Sequence, residues 1–245
     1  MESTKFSLKN KNILITGASS GIGMQTAIEC SKAGANLIIT GRNNKRLSAT
    51  LNKCEKGNHK TIIADLTKQD DINNLISQIN NIDGVVHSAG IAEYMPCKFI
   101  SEENFYNIMD INFKAPVLIT SLLLRKKKLN KQASIVFISS IASRLPSFGV
   151  SLYASSKAAI EGFSRSLSIE IASKKMRSNC LSPTFVETEL LDGAKNIVSN
   201  ESIEKYKNLL PLGFGTTADV ANASIFLLSD ESKWITGESI KLGSL

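Results

Sequence analysis

The chain has 245 residues, of which 42% are hydrophobic and 21% charged, and 29 basic against 22 acidic residues give a net charge of +7. The apolar fraction excludes a disordered chain, no run approaches the ~20 apolar residues that span a membrane, and no aromatic array accompanies the excess positive charge, so we expect neither membrane nor nucleic acid as a partner. The length predicts a single domain over residues 1–245, and four scattered cysteines without a CxxC pair are typical of reduced thiols in a cytoplasmic protein.

Short apolar runs alternate with longer helical patterns along the chain. The runs predict strands at Asn12–Thr16, Asn36–Thr40, Lys60–Ala64, Gly84–His87, Ser134–Ser139, Arg177–Ser182 and Ser239–Leu242. The segments between them predict helices at Gly21–Ala33, Asn43–Cys54, Asp70–Asn80, Glu102–Lys128, Val150–Ser173 and Ala218–Ser229. Strands rich in Ile, Val and Leu without polar alternation are covered on both faces. The alternation therefore predicts an α/β fold: a doubly wound, Rossmann-type parallel sheet of about seven strands with helices on both faces.

One long connection interrupts this alternation. Residues 188–214 separate the sixth strand from the next helix, and about one residue in three there is apolar. Connections of this length are uncommon unless they bind or cover a ligand. We therefore predict a substrate lid at about 188–214, with a plain surface helix packed on the core as the alternative.

A glycine-rich segment joins the first strand to the first helix. Residues 16–23 read TGASSGIG. In this position Gly17 permits a tight turn, Gly21 lets the backbone approach a pyrophosphate, and Gly23 lets the helix pack closely on the sheet. The N–H groups at the start of the helix favour phosphate oxygens. The predicted dinucleotide contacts of this loop are Gly17, Ser19, Ser20, Gly21, Ile22 and Gly23.

The end of the second strand governs which dinucleotide binds. An acidic residue there would accept hydrogen bonds from the ribose hydroxyls of NAD and repel a 2′-phosphate. The sequence has Arg42 instead, and arginine binds phosphate with charge-assisted hydrogen bonds. Arg42 therefore favours NADP(H) over NAD(H), and a solvated loop arginine is the alternative. After the third strand, Asp65 and Leu66 are placed to contact the adenine, unless Asp65 serves as a helix cap.

A tyrosine and a lysine lie four residues apart near the start of the predicted helix Val150–Ser173. This spacing places Tyr153 and Lys157 on one face of the helix. A lysine ammonium beside the phenol is expected to lower the phenol pKa from about 10, so that the tyrosine can exchange a proton near neutral pH. Ser140 ends the fifth strand thirteen residues earlier, at the edge where ligands bind to open α/β sheets.

These motifs resemble those of the short-chain dehydrogenase/reductase superfamily over about residues 10–242. The resemblance implies an NAD(P)(H)-dependent oxidoreductase that transfers a hydride between nicotinamide and a carbonyl or secondary alcohol. It implies that Tyr153 is the general acid or base, that Lys157 tunes Tyr153 and binds the nicotinamide ribose, and that Ser140 donates to the substrate oxygen. Asn112 would hold a water molecule in a proton relay. Family members that reduce 3-oxoacyl groups on acyl carrier protein share this length, which suggests a 3-oxoacyl thioester as substrate and that carrier as partner.

The resemblance also implies further cofactor contacts, and no metal. These contacts are Ala89, Gly90, Tyr153, Lys157, Pro183, Val186 and Thr188, of which Thr188 would meet the nicotinamide carboxamide. A metal site is not expected because His59 and His87 have no carboxylate cluster with which to form a ligand set.

Four features depart from the family pattern. Ser88 replaces an asparagine that stabilises the central sheet, and the preceding His87 is interpreted as structural or as lying at the edge of the cofactor. Thr184 replaces a glycine, which reduces backbone freedom near the nicotinamide. The tail 241–245 replaces an ending that often packs between subunits. The resemblance therefore implies a homodimer or homotetramer but does not fix how its subunits pack. The glycine loop lacks an arginine that is common in NADP-binding members.

Substrate contacts are expected from residues 91–99, 141–151 and 188–214. Their side chains predict a largely apolar pocket, with ordinary core or lid packing as the alternative: Tyr94, Met95, Phe99, Leu145, Phe148, Leu190, Leu191 and Phe214. Arg144 is expected to supply one anion contact.

Two basic clusters, 125–131 and 174–177, close long predicted helices. Cations are favourable at such ends in themselves, which favours a solvated surface for both clusters, and docking of an acidic carrier protein is the competing hypothesis.

A non-catalytic, redox-sensing protein of the same fold is the main alternative to an enzyme. Loss of Tyr153 or Lys157 would favour it. Both residues are present, together with Ser140 and Asn112, and the sequence therefore favours an enzyme.

Overall fold

The computed structural model describes residues 5–189 and 210–243. A seven-stranded parallel sheet lies at its centre, with the strand order β3-β2-β1-β4-β5-β6-β7. Its strands are β1 Asn12–Thr16, β2 Asn36–Gly41, β3 Lys60–Ile63, β4 Ile82–His87, β5 Leu129–Ile138, β6 Arg177–Pro183 and β7 Ser239–Leu242. The doubly wound, Rossmann-type architecture predicted from the sequence is confirmed.

Helices cover both faces of this sheet. They are α1 Gly21–Lys32, α2 Asn44–Leu51, α3 Gln69–Ser77, α4 Glu102–Met109, α5 Ala115–Arg125, α6 Ser151–Ile171 and α7 Thr217–Leu228. One apolar core forms where α3, α5 and α6 pack on the sheet, and a second forms where α1, α2 and α7 pack on the opposite face. The strands are buried from both sides, which explains their continuous apolar runs.

The long helix predicted over 102–128 is broken into three parts. A π-helical segment, Asp110–Lys114, separates α4 from α5. Pro116 lies in the first turn of α5 and has no N–H to donate to the carbonyl of Asn112, so regular α-helical bonding cannot continue through this point. Segments of this kind occur often at functional sites, and Asn112 lies within this one.

The helical stretch Glu102–Arg125 is long and apolar enough, by composition, to cross a membrane. Within this stretch, 44% of the most apolar 18-residue window is buried inside the protein. The buried side chains of α5, including Ile119 and Leu123, belong to the core on one face of the sheet. Its apolar character is therefore explained by packing between the sheet and neighbouring helices.

Most of the predicted lid, including Leu190 and Leu191, falls at residues 190–209, outside the described residues. The two described flanks of this segment meet. Val186 forms a bridge with Gly215, and the rings of Phe185 and Phe214 stack with their centres 5.4 Å apart. The connection therefore leaves and returns at the same place beside the end of β6.

One member of the predicted basic clusters is not on the surface. Arg177 begins β6 and is buried. Its guanidinium donates hydrogen bonds to Ser232 Oγ at 2.8 Å and to the Ser229 carbonyl at 3.1 Å, which compensate for the loss of water. The prediction of a surface cluster over 174–177 was wrong for this residue. Lys174 and Lys175 are exposed.

Two glycines give a stability test. A Cβ on Gly84 in β4 would lie 2.6 Å from Leu228 and 3.0 Å from the Ser134 carbonyl, whereas one on Gly162 in α6 would meet nothing within 4 Å. Gly84→Ala should reduce the free energy of unfolding by about 1–3 kcal/mol through overpacking. Gly162→Ala should raise it by up to about 1 kcal/mol, because alanine costs less entropy in a helix. Urea unfolding measures both, and equal effects of the two substitutions would contradict this packing.

Candidate active site

A cavity of about 1460 Å³ opens along the carboxyl ends of the strands. It lies where the sheet order reverses between β1 and β4, the position at which open α/β sheets bind ligands. Its walls include all the residues predicted to contact the cofactor, namely Gly17, Ser19, Ser20, Gly21, Ile22, Gly23, Arg42, Asp65, Leu66, Ala89, Gly90, Tyr153, Lys157, Pro183, Val186 and Thr188. The fold thus brings these positions, which are far apart in the sequence, into one continuous cleft.

The glycine loop forms one wall of the cleft and packs so closely on neighbouring backbone that side chains at Gly17 and Gly23 would clash. Gly17 has φ +67°, and a Cβ there would lie 2.7 Å from the N and Cα of Ala89. A Cβ on Gly23 would meet the Gly17 carbonyl oxygen. Gly21, with φ +51°, faces Thr188 across the cleft, and its Cβ would lie 3.7 Å from the Thr188 methyl group. The loop leaves exposed backbone at the start of α1, which fits a pyrophosphate.

The end of β4 is tied to the end of β1 through a hydroxyl group. Thr16 Oγ1 accepts hydrogen bonds from the N–H groups of Ser88 and Ala89, both at 3.2 Å. Backbone donors therefore make the link at the position where the family carries an asparagine and this chain has Ser88.

His87 is a structural residue in this arrangement. It is buried, its Nε2 lies 2.9 Å from Thr120 Oγ1, and its ring stacks on Phe137. Burial lowers the pKa of His87 to about 3, which keeps the ring neutral. His87 is not part of the cavity wall, so of its two predicted roles the structural one is found.

Polar groups surround the adenosine end of the cleft. Arg42 is exposed and lines the cavity. Asp65 Oδ1 accepts from the N–H of Thr67 at 3.1 Å and its hydroxyl at 2.8 Å, a local turn just before α3. Burial would raise the pKa of Asp65, but the hydrogen bonds from Thr67 and the charges of Arg42 and Lys68 lower it overall. Asp65 therefore both shapes its turn and places a carboxylate in the cavity wall.

An ion pair crosses the mouth of this cleft. Arg46 Nη1 lies 3.2 Å from Glu189 Oε2, and both side chains line the cavity. The pair joins α2 to the segment after β6, positions 143 residues apart. Nothing in the local sequence signals a pairing over this separation.

Three of the four predicted catalytic residues, Ser140, Tyr153 and Lys157, lie in the cavity wall. Burial raises the pKa of Tyr153 to about 12, although its hydrogen bond with Ser140 acts in the opposite direction. The expectation of a lowered phenol pKa is therefore wrong, because burial disfavours the phenolate and is the largest influence on it. The phenol stays protonated at neutral pH.

Lys157 is buried against the end of β5. Its Nζ donates to the Ile138 carbonyl at 2.8 Å and lies 5.7 Å from the centre of the Tyr153 ring. Burial lowers the pKa of Lys157 to about 8. The ammonium is consequently close to the phenol and easily deprotonated.

Asn112 lies behind the cavity wall. Its amide exchanges two hydrogen bonds with the backbone of Ile91, each at 2.9 Å, and donates to Ser156 Oγ at 3.0 Å. A Cβ on Gly90 would lie 3.1 Å from Asn112 Oδ1 and 3.4 Å from Lys157 Nζ. Asn112 Oδ1 and Lys157 Nζ thus both lie beside Gly90, where a larger side chain would contact both of them.

The predicted substrate residues divide between the cavity and its surroundings. Tyr94, Leu145 and Phe148 line it, whereas Met95, Phe99 and Phe214 do not. Two polar residues that the sequence analysis did not name line it as well, Glu93 within the predicted substrate segment 91–99 and Asn107 outside every segment predicted to contact substrate. Neither gave a signal, since a single polar side chain in a loop or helix is ordinary.

Arg144 does not supply the expected anion contact in the cavity. It is absent from the cavity wall, and its Nε lies 3.4 Å from Glu161 Oε2. The carboxylate draws the guanidinium away from the substrate space. Among residues 5–189 and 210–243, no group of three His, Cys, Asp or Glu side chains is arranged to hold a metal ion.

Comparison with known proteins agrees with this geometry. A family model described as Enoyl-(Acyl carrier protein) reductase matches residues 17–242. The 3-oxoacyl-[acyl-carrier-protein] reductase FabG of Rickettsia felis is 34% identical over 234 residues, covering 95% of this chain and 95% of that protein.

Solved structures share the whole architecture. A short-chain dehydrogenase/reductase of Brucella melitensis superposes with a TM-score of 0.90 at 27% identity, covering 98% of this chain and 97% of that one. The angucycline C-6 ketoreductase LanV, solved with bound NADP, has a TM-score of 0.88 at 25% identity, covering 96% and 95%. With its glycine loop, its Ser140–Tyr153 hydrogen bond and Lys157 lining one cleft, the chain belongs to the short-chain dehydrogenase/reductase family of NAD(P)-dependent oxidoreductases.

Proposed function

We propose that this protein is an NADPH-preferring carbonyl reductase whose substrate is a 3-oxoacyl thioester. The observation that carries the proposal is the hydrogen-bonded pair Ser140 and Tyr153, placed beside Lys157 at one end of a cleft whose other end is the glycine loop. Two hydroxyl donors at one place can bind a single carbonyl oxygen. The relative from Rickettsia felis, a 3-oxoacyl-[acyl-carrier-protein] reductase, supports a thioester substrate.

The chain's own residues would divide the work as follows. Tyr153 donates its proton to the substrate oxygen, and Ser140 stabilises the negative charge that develops there. Lys157 holds its ammonium near the phenol, which favours the phenolate left after transfer. Asn112, which lies with Lys157 beside Gly90, would hold the water that returns a proton. The bound nicotinamide supplies the hydride.

The cofactor preference rests on the adenosine end of the cleft. Arg42 is exposed there at the position where a carboxylate would select NAD, and it can bind a 2′-phosphate with charge-assisted hydrogen bonds. The LanV structure holds NADP. Glycine-loop backbone, Asp65 and Thr188 would bind the remaining parts of the dinucleotide.

Partners and location complete the proposal. Acyl carrier protein is the proposed carrier of the substrate, and a homodimer or homotetramer is the proposed assembly. Within one chain, Lys131 and Lys174 lie near the amino ends of β5 and β6, at the edge opposite the cavity. A carrier that docks on them would therefore need to serve the cleft of another subunit. Four free cysteines support the cytoplasm as the location.

Tyr153→Phe tests the proposed reaction. Removing the hydroxyl while keeping the ring should lower kcat for NADPH-dependent reduction of 3-oxoacyl thioesters and ketones by about a hundredfold or more, because the proton donor is lost. Tyr106→Phe is the matched control, since Tyr106 is exposed on α4. NADPH binding by fluorescence should be similar in all three proteins. Turnover that survives Tyr153→Phe would refute the mechanism, and reduction of 2-enoyl thioesters alone would refute the substrate class.

Arg42→Asp tests the cofactor preference. The aspartate would repel a 2′-phosphate and accept ribose hydroxyls, so the Kd for NADPH should rise by about tenfold or more while that for NADH falls. Lys53→Asp makes the same charge change at an exposed position that does not line the cavity. Titrations of both variants with both cofactors measure the effect, and a wild type that binds NADH more tightly would contradict the proposal.

The pKa values of Tyr153 and Lys157 predict the pH dependence of reduction. The active form has Tyr153 protonated and Lys157 charged; the pKa of Tyr153 is about 12 and that of Lys157 about 8. The kcat/KM for NADPH, which reports groups of the free enzyme, should be level at lower pH and fall as pH rises through about 8. A profile measured from about pH 6 to about pH 10 tests this, and a rise through about pH 8 would contradict it.

A further inference from the structure

A buried carboxylate lies behind the reaction end of the cleft. Glu161 is on α6, one helical turn beyond Lys157, and its side chain is only 6% exposed. It is not part of the cavity wall, so any influence on the proposed reaction would pass through other residues. A buried charge is costly unless it is hydrogen-bonded, and the partners of this one come from several elements of the fold.

Three serines donate to the same carboxylate oxygen. Glu161 Oε1 accepts from Ser139 Oγ at 2.9 Å, from Ser143 Oγ at 2.9 Å and from Ser182 Oγ at 2.7 Å. Arg144 Nε lies 3.4 Å from the other oxygen. The carboxylate therefore connects α6 with the segment after β5 and with the end of β6.

The network keeps the carboxylate ionised. Burial alone would raise the pKa of Glu161, but hydrogen bonds from Ser182, Ser239, Ser143 and Ser139 lower it overall. Hydrogen bonds to an ionised acceptor are stronger than neutral ones. The hydrogen bonds between these serines and the Glu161 carboxylate are thus stronger than serine hydrogen bonds to a neutral side chain would be.

The arrangement encloses Ser140. Ser139 and Ser143 lie on either side of it in the chain, and both are held by the same oxygen. Ser139 Oγ also contacts the Lys157 carbonyl at 3.3 Å. The short segment that carries the Ser140 hydroxyl is consequently fixed, at both ends, to the helix that carries the tyrosine and the lysine.

We propose that Glu161 is a positioning residue for the reaction, which sets Ser140 against Tyr153 and Lys157 by anchoring Ser139 and Ser143. The inference rests on the proposed carbonyl reduction and adds to it a residue that acts through others. Small displacements of a reacting group cost large factors in rate. Loss of this anchor should therefore act on kcat far more than on cofactor binding.

The test compares substitutions at Glu161 with a control on the same helix. Glu161→Ala should lower kcat for carbonyl reduction by about ten- to a hundredfold, with KM and the Kd for NADPH changing by less than about threefold. Glu161→Gln should fall between this variant and the wild type, because its amide oxygen still accepts from serines but lacks the charge. Glu170→Gln makes the same charge change at an exposed position on α6 and should leave kcat unchanged.

A double-mutant cycle shows whether the effect passes through the serine segment. Ser143→Ala removes one anchored hydroxyl, and in that background Glu161→Gln should lower kcat by a smaller factor than in the wild type. Additive losses of kcat would overturn the proposal. So would unchanged kcat in folded Glu161 variants, or a loss of NADPH affinity as large as the loss of kcat. If Glu161→Ala does not fold, Glu161→Gln and Ser143→Ala provide the same readout.

The wild-type enzyme separates this inference from the function on which it rests. Absence of carbonyl reduction by the wild type would overturn both. An active wild type that loses turnover in Tyr153→Phe, but keeps it in Glu161→Ala, would overturn only the positioning role.

Discussion

The carboxyl ends of β1 and β4 meet with backbone against backbone, and the cleft depends on this contact. Gly17 allows it, because a Cβ there would lie 2.7 Å from the backbone of Ala89, and Thr16 secures it with bonds to two consecutive N–H groups. Gly23 lets α1 start against the same turn. With these ends joined, the start of α1 points its free N–H groups into the space where the strand order reverses, and β5 places Ser140 beside it.

A second constraint acts along α6, which carries Tyr153, Lys157 and Glu161 on successive turns. All three are packed toward the sheet, and each depends on partners from the ends of β5 and β6. The ammonium is satisfied by the Ile138 carbonyl and the carboxylate by serine hydroxyls. Charges at this depth are tolerated only with such bonds. The same depth explains why the phenol and ammonium pKa values shift in opposite directions, since burial penalises whichever form is charged.

The sequence was sufficient for the doubly wound sheet, for the position of the cleft and for the positions predicted to contact the cofactor, all of which line it. These follow from apolar periodicity and from which strand ends share an edge. The sequence was insufficient where tertiary contacts determine the position of a side chain or the direction of its pKa shift. Arg144 was expected to meet an anion in the pocket, yet it pairs with Glu161 outside the cavity wall. Arg177 was expected in a surface cluster, yet it is buried beside Ser232. The break before α5 could have been predicted, because Pro116 cannot donate to Asn112. The direction of the pKa shift of Tyr153 could not have been predicted, because helical spacing shows that Lys157 is near but not how deeply the phenol is buried.

The resting protonation state connects these constraints to the direction of chemistry. With a pKa of about 12, Tyr153 carries its proton at neutral pH. Reduction of a carbonyl needs that proton, whereas oxidation of an alcohol needs the phenolate that burial disfavours. Lys157, whose pKa is about 8, keeps its positive charge at neutral pH and loses it as the pH rises through about 8. Under the proposed mechanism this protonation state suits proton donation, and oxidation would need a positive charge at the same end of the cleft to offset the phenolate.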